Sequence, residues 1–297
     1  MIVGIPKGLL YYKYNVFLKS FFEELGCEII TSEDTNKDIL NKGVKLSVDD
    51  ACLPVKIFHG HVMDIKDKCD ILLIPRIMQL EKNKYICPKF CGLPEMIKYS
   101  IPDMPKCITY PIYATSIKEL KKWAIKSGLK VTKNLYKINK ALNIAIKKQQ
   151  NTFTGIKKLN KNINIALLGH PYNIYDKYTN LDIIKKLDKL GVGVITEEYV
   201  QEEDINKQID KLFKKPFWTF AKNSYGSATY LAKTNKVQGI IYISSFACGI
   251  DSIVIELIKD ELKDFPILVL KIDEQTGEAG FYTRLEAFAD MLERRCS

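Results

Sequence analysis

Three cysteines stand where the chain is set to enter a helix: Cys52 in VDDACLPVK, Cys87 in YICPKFCGLPEM and Cys248 in FACGIDS. Pro54 follows Cys52 at two residues and Pro88 follows Cys87 directly. Proline favours the first helical turn, where its missing N–H removes no hydrogen bond. A thiol beside the free amides and positive dipole end of a helix N-terminus ionises more readily, and the thiolate is the form that binds metal. The pattern therefore suits a thiolate-ligated metal whose ligands come from distant segments, each in a strand-to-helix connection. Against this stands the reading of cysteine as a small hydrophobe in a tight turn. There is no Cys-x-x-Cys pair, of the kind that marks zinc and ferredoxin sites, to decide between them. Cys27, Cys69 and Cys107 abut strand-like runs and read as core packing. Cys91, four residues after Cys87, is either a further ligand or a neighbour, and Cys296 reads as unengaged.

The elements that must position these residues alternate in type. Apolar runs at residues 2 to 5, 27 to 30, 70 to 75 and 107 to 113 read as strands. Between and after them, 9 to 25, KDILNKG, 54 to 68 and SIKELKKWAIKSG have helical spacing, with Gly26 as a stop signal. A Lys-, Asn- and Gln-rich stretch over 132 to 162 is read as a connecting helix and linker between an N-terminal α/β lobe (1–131) and a C-terminal one (163–297). The second lobe repeats the rhythm, with strands at 163–169, 192–196, 239–244 and 266–272. Strand–helix alternation of this kind predicts an α/β fold of mostly parallel sheets covered by helices. In such sheets ligands collect beyond the carboxyl ends of the strands.

That rule brings out a second set of residues. His170 ends the strand at 163–169 in GHPYNIYD and is expected to line a cleft between the lobes. Asp273, Glu274 and Glu278 in DEQTGEAGFYTR lie between a strand and a helix, where they either handle protons or cap the helix, with Arg284 as an ion-pair partner. His59 and His61 share one helix on different faces and read as core or surface residues. No Gly-x-Gly-x-x-Gly or Walker sequence occurs, so ATP hydrolysis by this chain is not expected.

Composition bounds the function classes. The chain has 297 residues, 46% of them hydrophobic, and a net charge of +10. Only four of its 45 basic residues are arginine, whereas base and phosphate recognition favours Arg, so nucleic acid is not the expected partner. The lysines spread along helical faces as a solvated surface, which leaves room for an anionic partner such as CoA or an acidic protein. No apolar run approaches the roughly 18 residues of a membrane span, so no membrane partner is expected and a cytoplasmic setting with reduced thiols is.

The segments GIPKGLLYYKYNVFLKSFFEELGCEII, GVKLSVDDACLPVKIFHGHV, YICPKFCGLPEM, GHPYNIYD, FACGIDSIV and DEQTGEAGFYTRLEAF resemble the domain that accompanies CoA-substrate enzyme activases. That family is related to the 2-hydroxyacyl-CoA dehydratase subunits and to double-cubane cluster proteins, and the matches run in order over nearly the whole chain. The resemblance implies two flavodoxin-like (Rossmann-like) lobes facing a central cleft. It implies an oxygen-sensitive, anaerobic iron–sulfur protein with three cysteines per 4Fe-4S cubane, at the matching positions Cys52, Cys87 and Cys248. Three thiolates leave one iron open to substrate, water or the bridging sulfide of a double cubane, and a second cubane needs further cysteines from a partner or from this chain. If Cys91 also binds, that iron is closed and electron transfer is favoured over catalysis.

The implied function is transfer of low-potential electrons from an ATP-dependent activase to a small-molecule or acyl-CoA substrate, as a reductase or a 2-hydroxyacyl-CoA dehydratase-like lyase. A homodimer or a related subunit is the implied assembly. His170, Glu274 and Glu278 are then the catalytic candidates, tuning potential and protonation. The alternative is a non-catalytic subunit, cluster-bearing or metal-free, that assembles or regulates a larger dehydratase–activase system. A zinc scaffold is the third reading, weakened by the lack of close ligand pairs.

Overall fold

The computed structural model describes residues 1–160 and 162–296 and divides into two compact units, Met1–Phe153 and the chain from Thr154 onward. Both are α/β. The first contains β1 (Ile2–Ile5), α1 (Tyr11–Glu24), β2 (Glu28–Thr31), α2 (Lys37–Leu46), α3 (Leu53–Ile65), β3 (Ile71–Leu73), β4 (Arg76–Gln79), α4 (Pro88–Ser100), β5 (Lys106–Ile108), β6 (Pro111–Tyr113), α5 (Ile117–Gly128) and α6 (Leu135–Gln150). Its main sheet is wholly parallel, in the order β2-β1-β3-β5. The run at 107–113 expected as one strand breaks in two. β5 joins the main sheet, whereas β6 starts at Pro111, which has no N–H to give a ladder, and pairs with β4 as a separate parallel ribbon.

Helix starts follow local chemistry. Asn36 accepts from the Ile39 amide at 3.0 Å to cap α2, and Ser116 accepts from Glu119 at 3.2 Å to cap α5. The polar run after residue 132 hides a buried stripe, Ile138, Ala141, Leu142 and Ala145, whose spacing places it on one face of α6. That helix packs along α1 within the first unit. There the Gln149 amide bridges the α1 backbone, accepting from the Phe17 N–H and donating to the Lys13 carbonyl, each at 3.0 Å. Trp123 of α5 fills the space below, 5.5 Å from Phe17 and 5.0 Å from Phe21 between ring centres.

α3 is buried along nearly its whole length, and α2 crosses it backbone to backbone at two glycines. A Cβ on Gly43 would lie 1.9 Å from the Lys56 carbonyl oxygen, and one on Gly60 1.9 Å from that of Ile39. His59 and His61 are both core residues. His59 Nδ1 bonds the Val55 carbonyl at 2.7 Å, and His61 bridges the hydroxyls of Ser32 and Thr35 at 2.8 and 3.0 Å.

Burial lowers the His61 pKa from 6.5 to about 4. A histidine depressed in the native state contributes stability that is whole above its unfolded pKa of 6.5 and drains away as pH falls from there to about 4. This group alone should remove roughly 2 kcal/mol between about pH 7 and pH 5, at ~1.4 kcal/mol per pKa unit. Urea denaturation of wild type and His61→Gln across that range checks it: the wild-type loss should be larger than the variant's by that amount, and equal slopes would refute it.

The second unit contains β7 (Lys157–Lys158), β8 (Ile163–Gly169), α7 (Pro171–Tyr175), α8 (Ile183–Lys189), β9 (Val192–Thr196), α9 (Glu202–Ile209), α10 (Thr219–Lys233), β10 (Gly239–Ser245), α11 (Gly249–Glu261), β11 (Ile267–Ile272) and α12 (Glu278–Cys296). Its sheet runs β11-β10-β8-β9-β7, parallel except for β7 against β9. β7 falls in the stretch read as linker. Two lysines on an edge strand carry no apolar signal, because the charge that marks such an edge also keeps it from pairing with another chain. β8 and β10 are buried on both faces, as central parallel strands must be. Among the described residues no helix is long and apolar enough to cross a membrane.

Candidate metal centre

Cys52, Cys87 and Cys248 each occupy the residue immediately before a helix, at the starts of α3, α4 and α11. Their carbonyls take the first helical bonds: Cys52 from Val55 at 2.9 Å, Cys87 from Phe90 at 3.0 Å and Cys248 from Ser252 at 3.1 Å. None of these helices has the side-chain cap that Asn36 and Ser116 give α2 and α5. One expectation needs correcting. Cys52 does not follow a strand, because the chain between α2 and α3 only turns; its connection is helix to helix. Cys52, Cys87 and Cys91 belong to the first unit and Cys248 to the second.

None of the eight cysteines forms a disulfide. Burial raises the pKa of the Cys27, Cys69 and Cys107 thiols, that of Cys107 to about 11, so these stay protonated and packed. Cys107 donates to the Pro105 carbonyl at 3.2 Å. Cys91 sits one turn along α4 from Cys87, and its carbonyl accepts from Arg76 Nη1 at 2.9 Å. Arg76 also donates to the Thr109 carbonyl at 3.2 Å and pairs with Glu95, so a single guanidinium ties the first turns of α4 to the chain after β5.

In the second unit three ligand-type side chains converge. A nitrogen of His170, the sulfur of Cys248 and a carboxylate oxygen of Asp251 all lie within 4.8 Å of one another. His170 opens α7 directly after β8, and Asp251 lies in the first turn of α11, three residues from Cys248. Gly169, at φ +141, makes the approach possible, since a Cβ there would lie 2.3 Å from the Ile243 carbonyl oxygen of β10. The imidazole stacks on Tyr172 at 5.1 Å and meets the edge of Phe220 at 5.3 Å.

His170 Nδ1 lies 3.2 and 3.3 Å from the two Asp251 oxygens, and the Tyr242 hydroxyl donates to the same carboxylate at 2.9 Å. Both partners are buried, His170 at 4% and Asp251 at 1% exposure. Burial by itself pushes His170 down, but the Asp251 charge and hydrogen bond, with Glu197 beyond, outweigh it and hold the imidazole above its ordinary value. Burial likewise pushes Asp251 up, and His170, Tyr242 and Ser244 outweigh it to keep the carboxyl low. The result is a buried, hydrogen-bonded imidazole–carboxylate pair beside a half-buried thiol. Imidazole, thiolate and carboxylate is a donor set that suits zinc or iron. Two donors on one tetrahedral ion with bonds near 2.0–2.1 Å stand about 3.3 Å apart, which is the His170–Asp251 separation.

No carboxylate of the acidic loop belongs to this converging group, although the loop begins after Ile272, whose carbonyl accepts from the Phe246 N–H at 2.8 Å. Asp273 accepts from the Thr276 hydroxyl at 2.9 Å and from the Gln275 amide at 2.9 Å, closing a tight turn that holds Glu274. Glu278 is exposed and bound to Lys186 at 2.8 Å, and that hydrogen bond lowers its pKa. Arg284, expected as their partner, instead donates to the Val269 carbonyl. Asp251 and Tyr242 are the residues that sequence reasoning missed. The signal for Asp251 was its spacing from Cys248, which puts both on the opening turn of one helix.

Two family models cover the chain. The one described as CoA enzyme activase uncharacterised domain matches residues 2–200, and the one described as 2-hydroxyglutaryl-CoA dehydratase, D-component, matches residues 129–292. No curated protein matches the chain. With each model spanning more than half of it, the chain belongs to the CoA enzyme activase uncharacterised-domain family and to the 2-hydroxyglutaryl-CoA dehydratase D-component family.

Proposed function

We propose that this chain is a 2-hydroxyacyl-CoA dehydratase-like iron–sulfur subunit whose Cys52, Cys87 and Cys248 thiolates bind a 4Fe-4S cluster. In this reading it receives electrons from an ATP-dependent activase and delivers them to a small-molecule or CoA-linked substrate. The observation that carries the reading is the shared placement of the three sulfurs: each belongs to the residue opening a helix and each is half-buried. Cys27, Cys69 and Cys107, which abut strands, are held protonated by burial. Bound, the cluster supplies low-potential one-electron chemistry. The free amides of three helix N-termini offset the negative charge of the thiolates. The His170–Asp251 pair fixes the surroundings of Cys248, as outer partners of metal ligands do. Glu274 and Glu278, at the entry to α12, are the proposed proton carriers, with Glu278 hydrogen-bonded to Lys186 at 2.8 Å.

Anaerobic reconstitution with iron and sulfide tests this. About four irons per chain and a broad absorbance near ~400 nm are expected. Both should disappear in Cys52→Ser, Cys87→Ser and Cys248→Ser and persist in Cys27→Ser and Cys107→Ser. Full iron content in all three ligand variants would sink the assignment. Addition of an activase with ATP should bleach the absorbance; iron that loads but is never reduced would instead make this an assembly subunit.

The His170–Cys248–Asp251 spacing favours one second reading, a single divalent metal held within the second unit. Cobalt(II) would then give a thiolate charge-transfer band that Cys248→Ser removes and that Cys52→Ser and Cys87→Ser leave intact.

A further inference from the structure

The first unit contains a cavity of about 200 Å³ where the carboxyl ends of β1 and β3 meet the surrounding helices. Phe17 and Leu18 of α1, Phe58 of α3, Phe90 and Leu93 of α4 and Ile112 of β6 form its walls. No lining residue is charged. Its polar groups come from Tyr11, Tyr14, Gln149 and Gln150, and the Gln149 amide is engaged by the Phe17 N–H and the Lys13 carbonyl. The rest of the lining is apolar. The cavity opens to the surface at one edge, where Ala114 is exposed and Leu120 partly so. Its position at the carboxyl ends of parallel strands is where α/β folds receive ligands.

We infer that this cavity is a binding site for an uncharged aromatic ring, either a free molecule or the ring of a larger one. Size supports this: a dry apolar cavity of about 150 Å³ accepts benzene, so this one accommodates a substituted single ring or a small fused one. Shape chemistry supports it too, since three phenylalanines offer edges and faces for offset contact with an aromatic guest. A ring that carries its charge into the cavity is disfavoured, because that charge would lose water and find no counter-charge in the wall. The inference is independent of the cluster assignment, because the cavity lies wholly within the first unit. It does place the guest against Phe58 and Phe90, on the two helices that open at Cys52 and Cys87.

Titration calorimetry and melting curves of the full 297-residue chain with toluene, indole and benzoate test it. Toluene and indole should bind saturably and raise the melting temperature, and benzoate should bind at least tenfold more weakly. Ala114→Phe and Leu120→Trp add bulk at the cavity edge, where both residues retain exposure. Each should weaken toluene binding at least tenfold without lowering the ligand-free melting temperature. The inference is overturned if toluene and indole fail to saturate, if benzoate binds as well as toluene, or if both filled variants bind toluene as the wild type does.

Discussion

Asp251→Ala should destabilise the protein by about 3–5 kcal/mol, the range for removing one partner of a buried, hydrogen-bonded ion pair. The residue is 1% exposed and holds two groups at once, the His170 imidazole and the Tyr242 hydroxyl. Truncation removes the acceptor of both. Water cannot replace it cheaply, because Tyr172 and Phe220 cover the ring and β10 is buried over its full length. Asp251→Asn should lose less, since its amide oxygen still accepts from Tyr242 while the charge opposite His170 is gone. The double variant His170→Gln/Asp251→Asn should be more stable than the sum of its single changes predicts, because the second change removes the group that the first left stranded. Urea denaturation of the metal-free protein measures all four forms. An Asp251→Ala loss below about 1 kcal/mol would mean that the pair is hydrated or rearranges freely, contrary to the buried geometry.

What the amino-acid sequence disclosed here follows from where the physical signal is local. β10 and α11 are legible because GIIYIS is a continuous apolar run and GIDSIVIELIKDEL has helical spacing, so the placement of Cys248 at their junction needs no tertiary information. Pro54 and Pro88 mark the starts of α3 and α4 equally plainly. Asp251 is different. In sequence it is one more acidic residue in a helix's first turn, favourable there for the dipole alone. Only the arrival of His170, 81 residues away in the chain, makes it half of a buried pair. The break between β5 and β6 is hidden for a related reason, since CITYPIY is β-prone throughout and its division depends on which neighbour each half pairs with. Glycines are the most opaque. A Cβ on Gly280 in α12 would meet no neighbour within 4 Å, whereas one on Gly60 in α3 would meet a carbonyl at 1.9 Å, and nothing in either local stretch separates the two.

That contrast yields the second large effect. Gly60→Ala and Gly43→Ala should each destabilise the first unit by about 3 kcal/mol, at or beyond the upper end for overpacking, because the obstruction is rigid backbone rather than a side chain that can rotate away. A Cβ at 1.9 Å from a carbonyl oxygen must move by well over 1 Å to reach ordinary contact, so α2 and α3 have to separate along their crossing. Gly280→Ala is the matched control. Alanine is the better helix former by ~1 kcal/mol, and with open space around the position the same chemical change should leave the protein unchanged or slightly more stable. The consequence reaches the candidate centre because α3 begins at Cys52: a helix pushed off α2 carries that sulfur with it. Gly60→Ala that still folds should therefore reconstitute with less iron than wild type, while Gly280→Ala should load fully. Thermal melts and iron content, measured together on the three variants, separate a helix crossing that positions Cys52 from one that merely stabilises the fold. Equal melting temperatures for Gly60→Ala and Gly280→Ala would show that α2 and α3 do not meet at these glycines at all.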